Sequence, residues 1–311
     1  MSRNRSTEDS RSVAGGETVV ARGRLYALGA SLLLLAALLW AYWPTVYRMF
    51  SDWRGDPNYS VGQLVPLAAL YLLWDKRDRL RDCPIKPCWS GLVLIAGGLA
   101  AWGFGLMFLY ESAERYSLVL TLAGVVLLVG GRKLFMRAAW ILAFLLLMIP
   151  LPGRVHNAVS GPLQQCATTS TVFVLEVVGV DVVREGNTLL FEGNATVGIA
   201  EACSGLRMLT AFIIVSAMFA MLLQRPRWQL IVLLLSSIPV AILCNVIRLI
   251  ATAALYAVMD SSAAETFFHD FAGITMMPLA IAAMMGELWL FNKLIIPDTA
   301  PSKAPATQPS F

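Results

Sequence analysis

The sequence predicts an all-α polytopic membrane protein of about eight transmembrane helices, with a small extracytoplasmic loop insertion that has room for short β-strands. Three observations predict it. The 311 residues are 58% hydrophobic and only 14% charged, where a soluble domain carries about a quarter charged residues. Charge-free apolar runs recur at Leu25–Tyr47, Pro87–Tyr110, Trp228–Ile247 and Phe271–Gly286, and several reach the ~20 residues that a helix needs to cross hydrocarbon. The basic residues gather in short loops between these runs, as orientation signals do. That clustering also argues against nucleic acid as the partner of a chain whose net charge is +4.

Residues 1–24 are polar and rich in Ser and Arg, and read as a disordered cytoplasmic tail. The membrane domain is expected over 25–296. Its first crossing, 25–46, is long, carries Trp40, Tyr42 and Trp43, and lacks a small-residue cleavage pattern, so it reads as an anchor and not a signal peptide. The next crossings fall at 58–74, 89–110, 116–131 and 137–151. They are separated by the basic "DKRDRLRDCPIKP", the acid-containing "ESAER" and the basic "GRKLFMR". Crossings at 204–223, 228–250 and 271–292 complete the set, with "QRPRW" between the first two of them. The positive-inside rule puts both termini and the three basic loops in the cytoplasm. The second, fourth and fifth crossings are short, so tilt or packing must compensate. Residues 297–311 form a Pro/Ala-rich cytoplasmic tail.

An insertion at 152–203 is expected outside. Its first part, "NAVSGPLQQCATTSTVFVLEVVG" (157–179), is open between re-entrant, interfacial and spanning. A crossing there would move Cys203 to the cytoplasm and "QRPRW" outside, so the charge rule favours a re-entrant or surface helix. Its second part, "DVVREGNTLLFEGNATVGIAEA", alternates apolar and polar residues and repeats "EGN" at 185–187 and 192–194. Short strands joined by Gly/Asn turns fit that pattern.

The five cysteines do not make a disulfide framework. Cys83 and Cys88 fall in a cytoplasmic-type loop, where thiols stay reduced, and Cys166 and Cys244 read as small apolar fillers on helices. No His, Cys and acid group has ligand spacing, so neither a metal nor an organic cofactor is expected. Cys203 is different, because "GIAEACSGLRML" puts it at the start of a hydrophobic helix. Unpaired N–H groups and the helix dipole favour an anion there and lower a thiol pKa. Arg207 adds positive potential one turn on, and Glu201 offsets part of it. The competing reading is a structural cysteine beside a tight Ser-Gly packing site.

Two further residues stand out. Arg248 in "CNVIRLIATAAL" is flanked by the uncharged runs 228–247 and 249–259, and such an arginine is costly unless paired or wet. It reads as facing the bundle interior, with interfacial anchoring as the alternative. His269 in "FFHDFAGITMMP" lies at the outer start of the last crossing and can carry a proton near neutral pH. Its bland alternative is an interfacial polar residue, and the only other histidine, His156, reads as structural. A thiol, a cation and a proton carrier from three segments thus fall at one membrane level. That convergence points to an extracytoplasmic cysteine acyl-transfer site.

The wording also carries a family likeness. "NYSVGQLVPLAALYLLW", "IPLPGRVHNAVSGPLQ", "VREGNTLLFEGNATVGIAEACSGLRML", "NVIRL" and "FHDFAG" occur in that order. Over about 58–290 the chain resembles the exosortase/archaeosortase family of membrane-embedded cysteine transpeptidases. The family's catalytic cysteine, arginine and histidine match Cys203, Arg248 and His269. Where bacterial members often read Ser-His-Gly, this chain has Ser60, Val61 and Gly62, which leaves the subfamily and its recognition signal open. The resemblance implies cleavage, through a thioacyl intermediate, of secreted proteins bearing a carboxy-terminal tail. That tail has a Pro-Glu-Pro-like motif, one hydrophobic helix and a basic cluster. It also implies a multi-pass protein of the bacterial inner membrane, with the lipid bilayer as its surroundings and the active site facing the periplasm or exterior. Arg207, Arg184, Glu201 and Asn245 are the candidate substrate contacts. Acceptor, hydrolysis versus transpeptidation, and oligomeric state stay open. The rival reading is a non-enzymatic subunit of a polysaccharide-export or permease-like system. It accounts for the spans and the intramembrane arginine, but not for the helix-starting thiol or the outer histidine.

Overall fold

The computed structural model describes residues 29, 33–56, 58–84, 86–186, 188–191, 196–198, 205–223, 227–258, 278, 281–290 and 293. The chain divides into two compact units, Met1–Val159 and Ser160–Phe311.

In the first unit, α1 (Leu33–Ala41) and α2 (Trp43–Gly55) meet at an angle of 62°. The bend falls at Tyr42, with Pro44 in the first turn of α2, where a missing N–H costs nothing. Tyr42 is buried, shares a hydrogen bond with the Thr121 hydroxyl at 2.9 Å, and lies against the Trp102 ring. The first crossing is therefore not one straight helix over 25–46. A 3-10 turn, Ser60–Gln63, leads into α3 (Leu64–Asp75), and α4 (Arg77–Arg81) follows. At twelve residues α3 is only about 18 Å long.

The centre of this unit is the hairpin of α5 (Ser90–Phe108) and α6 (Glu111–Leu145). Gly91, Gly98 and Gly105 recur every seven residues, and all three are buried. A Cβ on Gly91 would lie 2.5 Å from the Leu128 nitrogen, and one on Gly105 would lie 2.6 Å from Glu114 Cγ. Gly98 is pressed as closely on Thr121, and Gly124 answers from α6 against Ile95. Small residues at such positions let two membrane helices meet backbone to backbone. Gly97 and Gly103, on other faces of α5, have nothing within 4 Å.

The residues expected as the fourth and fifth crossings form two helical segments that meet at the non-helical Gly131 (φ 78°, ψ 176°), near the expected boundary, and together make up α6. A 3-10 turn, Leu146–Met148, ends it. The apolar stretch Glu111–Met148 holds 38 residues, more than the ~20 that one crossing needs, and the break at Gly131 divides it. Gly131 needs its left-handed backbone and its missing side chain, because a Cβ there would run into the Lys86 carbonyl. At the same end Cys88 N–H donates to the Leu128 carbonyl at 3.1 Å, and Arg137 donates to the Arg79 carbonyl. The two long basic segments therefore share one end of the hairpin. At the other end buried Glu114 accepts from Arg48, while Arg115 bridges Glu111 at 2.6 Å and Asp52 at 2.7 Å. Buried charges at this site are paired, as they must be.

The second unit holds most of α7 (Gly153–Val178), whose first turns belong to the first unit. The hydroxyls of Thr168 and Thr171 donate to carbonyls one turn back, at 2.8 Å each, and both residues are buried. Cys166 is exposed, so it is not a packed filler. The expected strands are present as an antiparallel meander: β1 (Val182–Glu185), β2 (Thr188–Phe191) and β3 (Thr196–Gly198). Glu185 pairs with Thr188, which leaves a two-residue turn whose Gly186 has φ 62°. The sheet docks through Val182 and Leu189 onto Ala167 and Leu175 of α7 and onto Leu249 of α9 (Arg227–Val258).

The remaining helices pack by side chains. α8 (Leu206–Leu222) presents Met208, Phe212 and Val215, and α9 answers with Leu233 and Ala241. Met284 of α10 (Ile281–Leu290) closes this core, and its sulfur accepts from the Ser216 hydroxyl at 2.9 Å. Ser236 of α9 donates to the Glu287 carboxyl of α10.

The protein is thus mainly helical and membrane-embedded. Among the described residues three helices are long and apolar enough to cross a membrane, and the bent α1–α2 pair makes up to four. The eight expected crossings are not all matched among the described residues, because α3, α8 and α10 are short. By number of residues α7 is long enough, but its polar residues keep it out of that set.

Candidate functional site

One turn of α9 carries two of the residues that the sequence singles out, Asn245 and Arg248. Asn245 and Arg248 are three residues apart and share a helix face. Arg248 Nη2 donates to Asn245 Oδ1 at 3.0 Å. Arg248 is half-buried and Asn245 is 2% exposed, so the amide must find its partners inside the protein. The other end of that amide meets Gly205: a Cβ on Gly205 would lie 2.8 Å from Asn245 Nδ2. Val246 and Leu249, on the same turn, belong to the core under the sheet. Residues 245–249 therefore touch both the start of α8 and the meander that precedes it.

Gly205 is the N-cap of α8, at φ 83°, and no side chain caps the helix. Leu209 N–H bonds the Gly205 carbonyl at 2.8 Å, and buried Leu206 and Met208 pin the first turn. The positive end of the α8 dipole thus lies at Gly205. Arg207 stands half-buried in this first turn, and the Thr210 hydroxyl donates to its carbonyl at 3.0 Å.

The candidate residues are distributed as follows. Arg248, Asn245 and the α8 turn carrying Arg207 come together. Cys203, two positions before Gly205, lies outside the described residues, as do Glu201 and His269. Arg184 on β1 is exposed, and its guanidinium donates to the Gly186 carbonyl and the Thr169 hydroxyl, each at 2.7 Å. His156 is held in the first unit, where its Nδ1 shares a 2.6 Å hydrogen bond with the Tyr59 hydroxyl. Sequence reasoning missed the contact of Gly205 with Asn245. The available signals were a glycine directly before an apolar helix and an asparagine one turn before a lone arginine.

The transmembrane exosortase family model matches residues 53–286, a span that includes Cys203, Arg248 and His269. No curated protein and no solved structure matches the chain.

Proposed function

The chain belongs to the transmembrane exosortase family, whose members are peptidase- or transpeptidase-type membrane enzymes, and from that premise we propose that it cleaves carboxy-terminal sorting tails of secreted proteins through Cys203. The observation that carries this reading is the path Gly205–Asn245–Arg248. Two peptide units separate Cys203 from Gly205, so their Cα atoms lie within about 7 Å. That short covalent reach supports a reading in which the thiol works beside the α9 turn carrying the arginine.

In the proposed reaction the Cys203 thiolate attacks the scissile carbonyl carbon. The C–S bond forms and the carbonyl π pair moves onto oxygen. The Arg248 guanidinium and the positive end of α8 stabilise that oxyanion, an effect of about 3 kcal/mol for one well-placed donor. The pair then returns, the C–N bond breaks, and His269, holding the proton it took from the Cys203 thiol, gives it to the departing amine. The thioester that remains on Cys203 is resolved by water or by an acceptor amine. Asn245 acts through Arg248, holding its fork in place, and is a positioning residue. Arg207 and Arg184 are proposed to meet an acidic side chain of the tail motif, with Glu201 beside them.

Two experiments test the reading. Cys203→Ala should abolish tail processing while expression and insertion persist, and a thioester should be trapped on wild-type Cys203. Processing by the alanine variant would remove the assignment. A pH–rate profile separates the partners. Wild type should show a limb in the histidine range, roughly pH 6–7, which His269→Ala loses and Arg248→Lys keeps at reduced height. For orientation, single-cysteine variants treated with an impermeant thiol reagent on intact cells should react at Cys203 and not at Cys88. The Ser90 hydroxyl and backbone hold the Cys88 thiol below its ordinary range, so in opened membranes Cys88 should label readily. Labelling of Cys88 in intact cells would invert the topology.

A further inference from the structure

The basic end of the α5–α6 hairpin does more than its composition requires. Residues 75–87 and 131–137 carry eight Lys and Arg side chains against three carboxylates, and every one of these cations except Lys76 is exposed. The two segments are far apart in sequence. They are joined by the Lys86 carbonyl against Gly131 and by the Arg137 hydrogen bond to the Arg79 carbonyl. At this end Trp74 is 61% exposed and Trp89 is 80% exposed. Arg77 lies 4.6 Å over the Trp74 ring and donates to the Trp74 carbonyl at 3.0 Å.

We propose that this end of the first unit is a binding surface for the headgroups of anionic phospholipids. The chemistry fits that source. Indoles prefer the level of the headgroups, and clustered cations beside them gain from a negative leaflet and form charge-assisted hydrogen bonds to phosphate. An orientation signal needs only the charges, whereas here two segments are locked together so that their charges add in one place. The surface does not depend on the proposed reaction and stands whether or not Cys203 is the nucleophile.

The test uses the full chain reconstituted in nanodiscs of equal phosphatidylglycerol and phosphatidylcholine, with retained lipids counted by mass spectrometry after partial removal by detergent. Wild type should retain phosphatidylglycerol over phosphatidylcholine by on the order of tenfold. Arg132→Gln/Lys133→Gln/Arg137→Gln should bring the ratio near one. Gly131→Ala keeps every charge but drives a Cβ into the Lys86 carbonyl, and it should lose most of the preference. Should Gly131→Ala fail to fold, the exposed reversal Lys133→Glu reads the same surface and should lower the ratio severalfold. Arg3→Gln/Arg5→Gln/Arg11→Gln removes the same number of cations from the amino-terminal tail and should leave the ratio unchanged. An equal loss in that tail variant, or full retention by both Gly131→Ala and Lys133→Glu, would overturn the proposal. So would displacement of the lipid by millimolar inorganic phosphate, which would mark a free-phosphate site.

Discussion

The α5–α6 hairpin and the α8–α9 pair are both antiparallel apolar helices, yet they are held in opposite ways. In the hairpin Gly91, Gly98, Gly105 and Gly124 remove the side chains and the backbones touch. In the α8–α9 pair Met208, Phe212, Leu233 and Ala241 fill the space between, and backbone meets side chain closely where Gly205 admits Asn245. Lipid tails are as apolar as leucine, so burying leucine drives little association in a membrane, and close backbone packing or polar contacts must supply specificity. The first unit uses glycine along a whole helix as scaffold. The α8–α9 pair places Gly205 at the point where a candidate catalytic arginine is held.

That contrast can be broken at graded cost. Gly98→Leu should have the largest effect, because the new side chain has no space against Thr121. The α5–α6 hairpin should open, and the solubilised protein should lose its cooperative unfolding transition. Gly97→Leu, one residue away and facing open space, should leave the thermal midpoint nearly unchanged. Equal damage from both variants would dissolve the distinction between the two faces of α5.

Next in size is the turn carrying Arg248. Arg248→Lys should slow tail cleavage by about 100-fold with little change in stability, because an ammonium cannot reproduce a planar fork held on Asn245. Asn245→Ala should slow cleavage by about tenfold, mainly in kcat, with the histidine limb of the pH profile unmoved. A shifted limb would mean that Asn245 acts on the proton carrier instead.

Gly205→Ala sharpens the comparison from the other side. A left-handed alanine costs about 1–2 kcal/mol, and its methyl would also press on Asn245. A lowered thermal midpoint together with a cleavage defect is expected. A stability loss alone would show that the α8 start does not orient the arginine.

The smallest effect is expected at Arg184. Its two hydrogen bonds are exposed and tie β1 to Gly186 and to α7, so Arg184→Ala should cost about 0.5–1 kcal/mol. Hydrogen exchange in the meander should quicken slightly. A large cleavage defect without that loosening would instead place Arg184 on the substrate.

Much of this protein was legible as text because the signals are local. Apolar runs, basic loops, the "EGN" turn and the ordered family motifs each occupy a few consecutive residues. They suffice for a membrane-embedded helical chain, a small meander and its family. The candidate site was legible as residue types, and Asn245 was visible as a neighbour of Arg248. What only the tertiary structure decided is who meets whom. Glycines occur at 91, 97, 98, 103 and 105 in α5, and nothing in their spelling says that 91, 98 and 105 face α6 while 97 and 103 face open space. "GRKLFMR" reads as a break between two crossings, and only packing shows why the break falls at Gly131, where the Lys86 carbonyl occupies the space that a side chain would need. Tyr42 bends the first apolar run toward a hydroxyl on α6, and Asn245 turns from a polar speck into the link between two helices. Propensity and hydropathy are properties of a segment, whereas a close approach belongs to a pair, and the partner is chosen only when the helices pack.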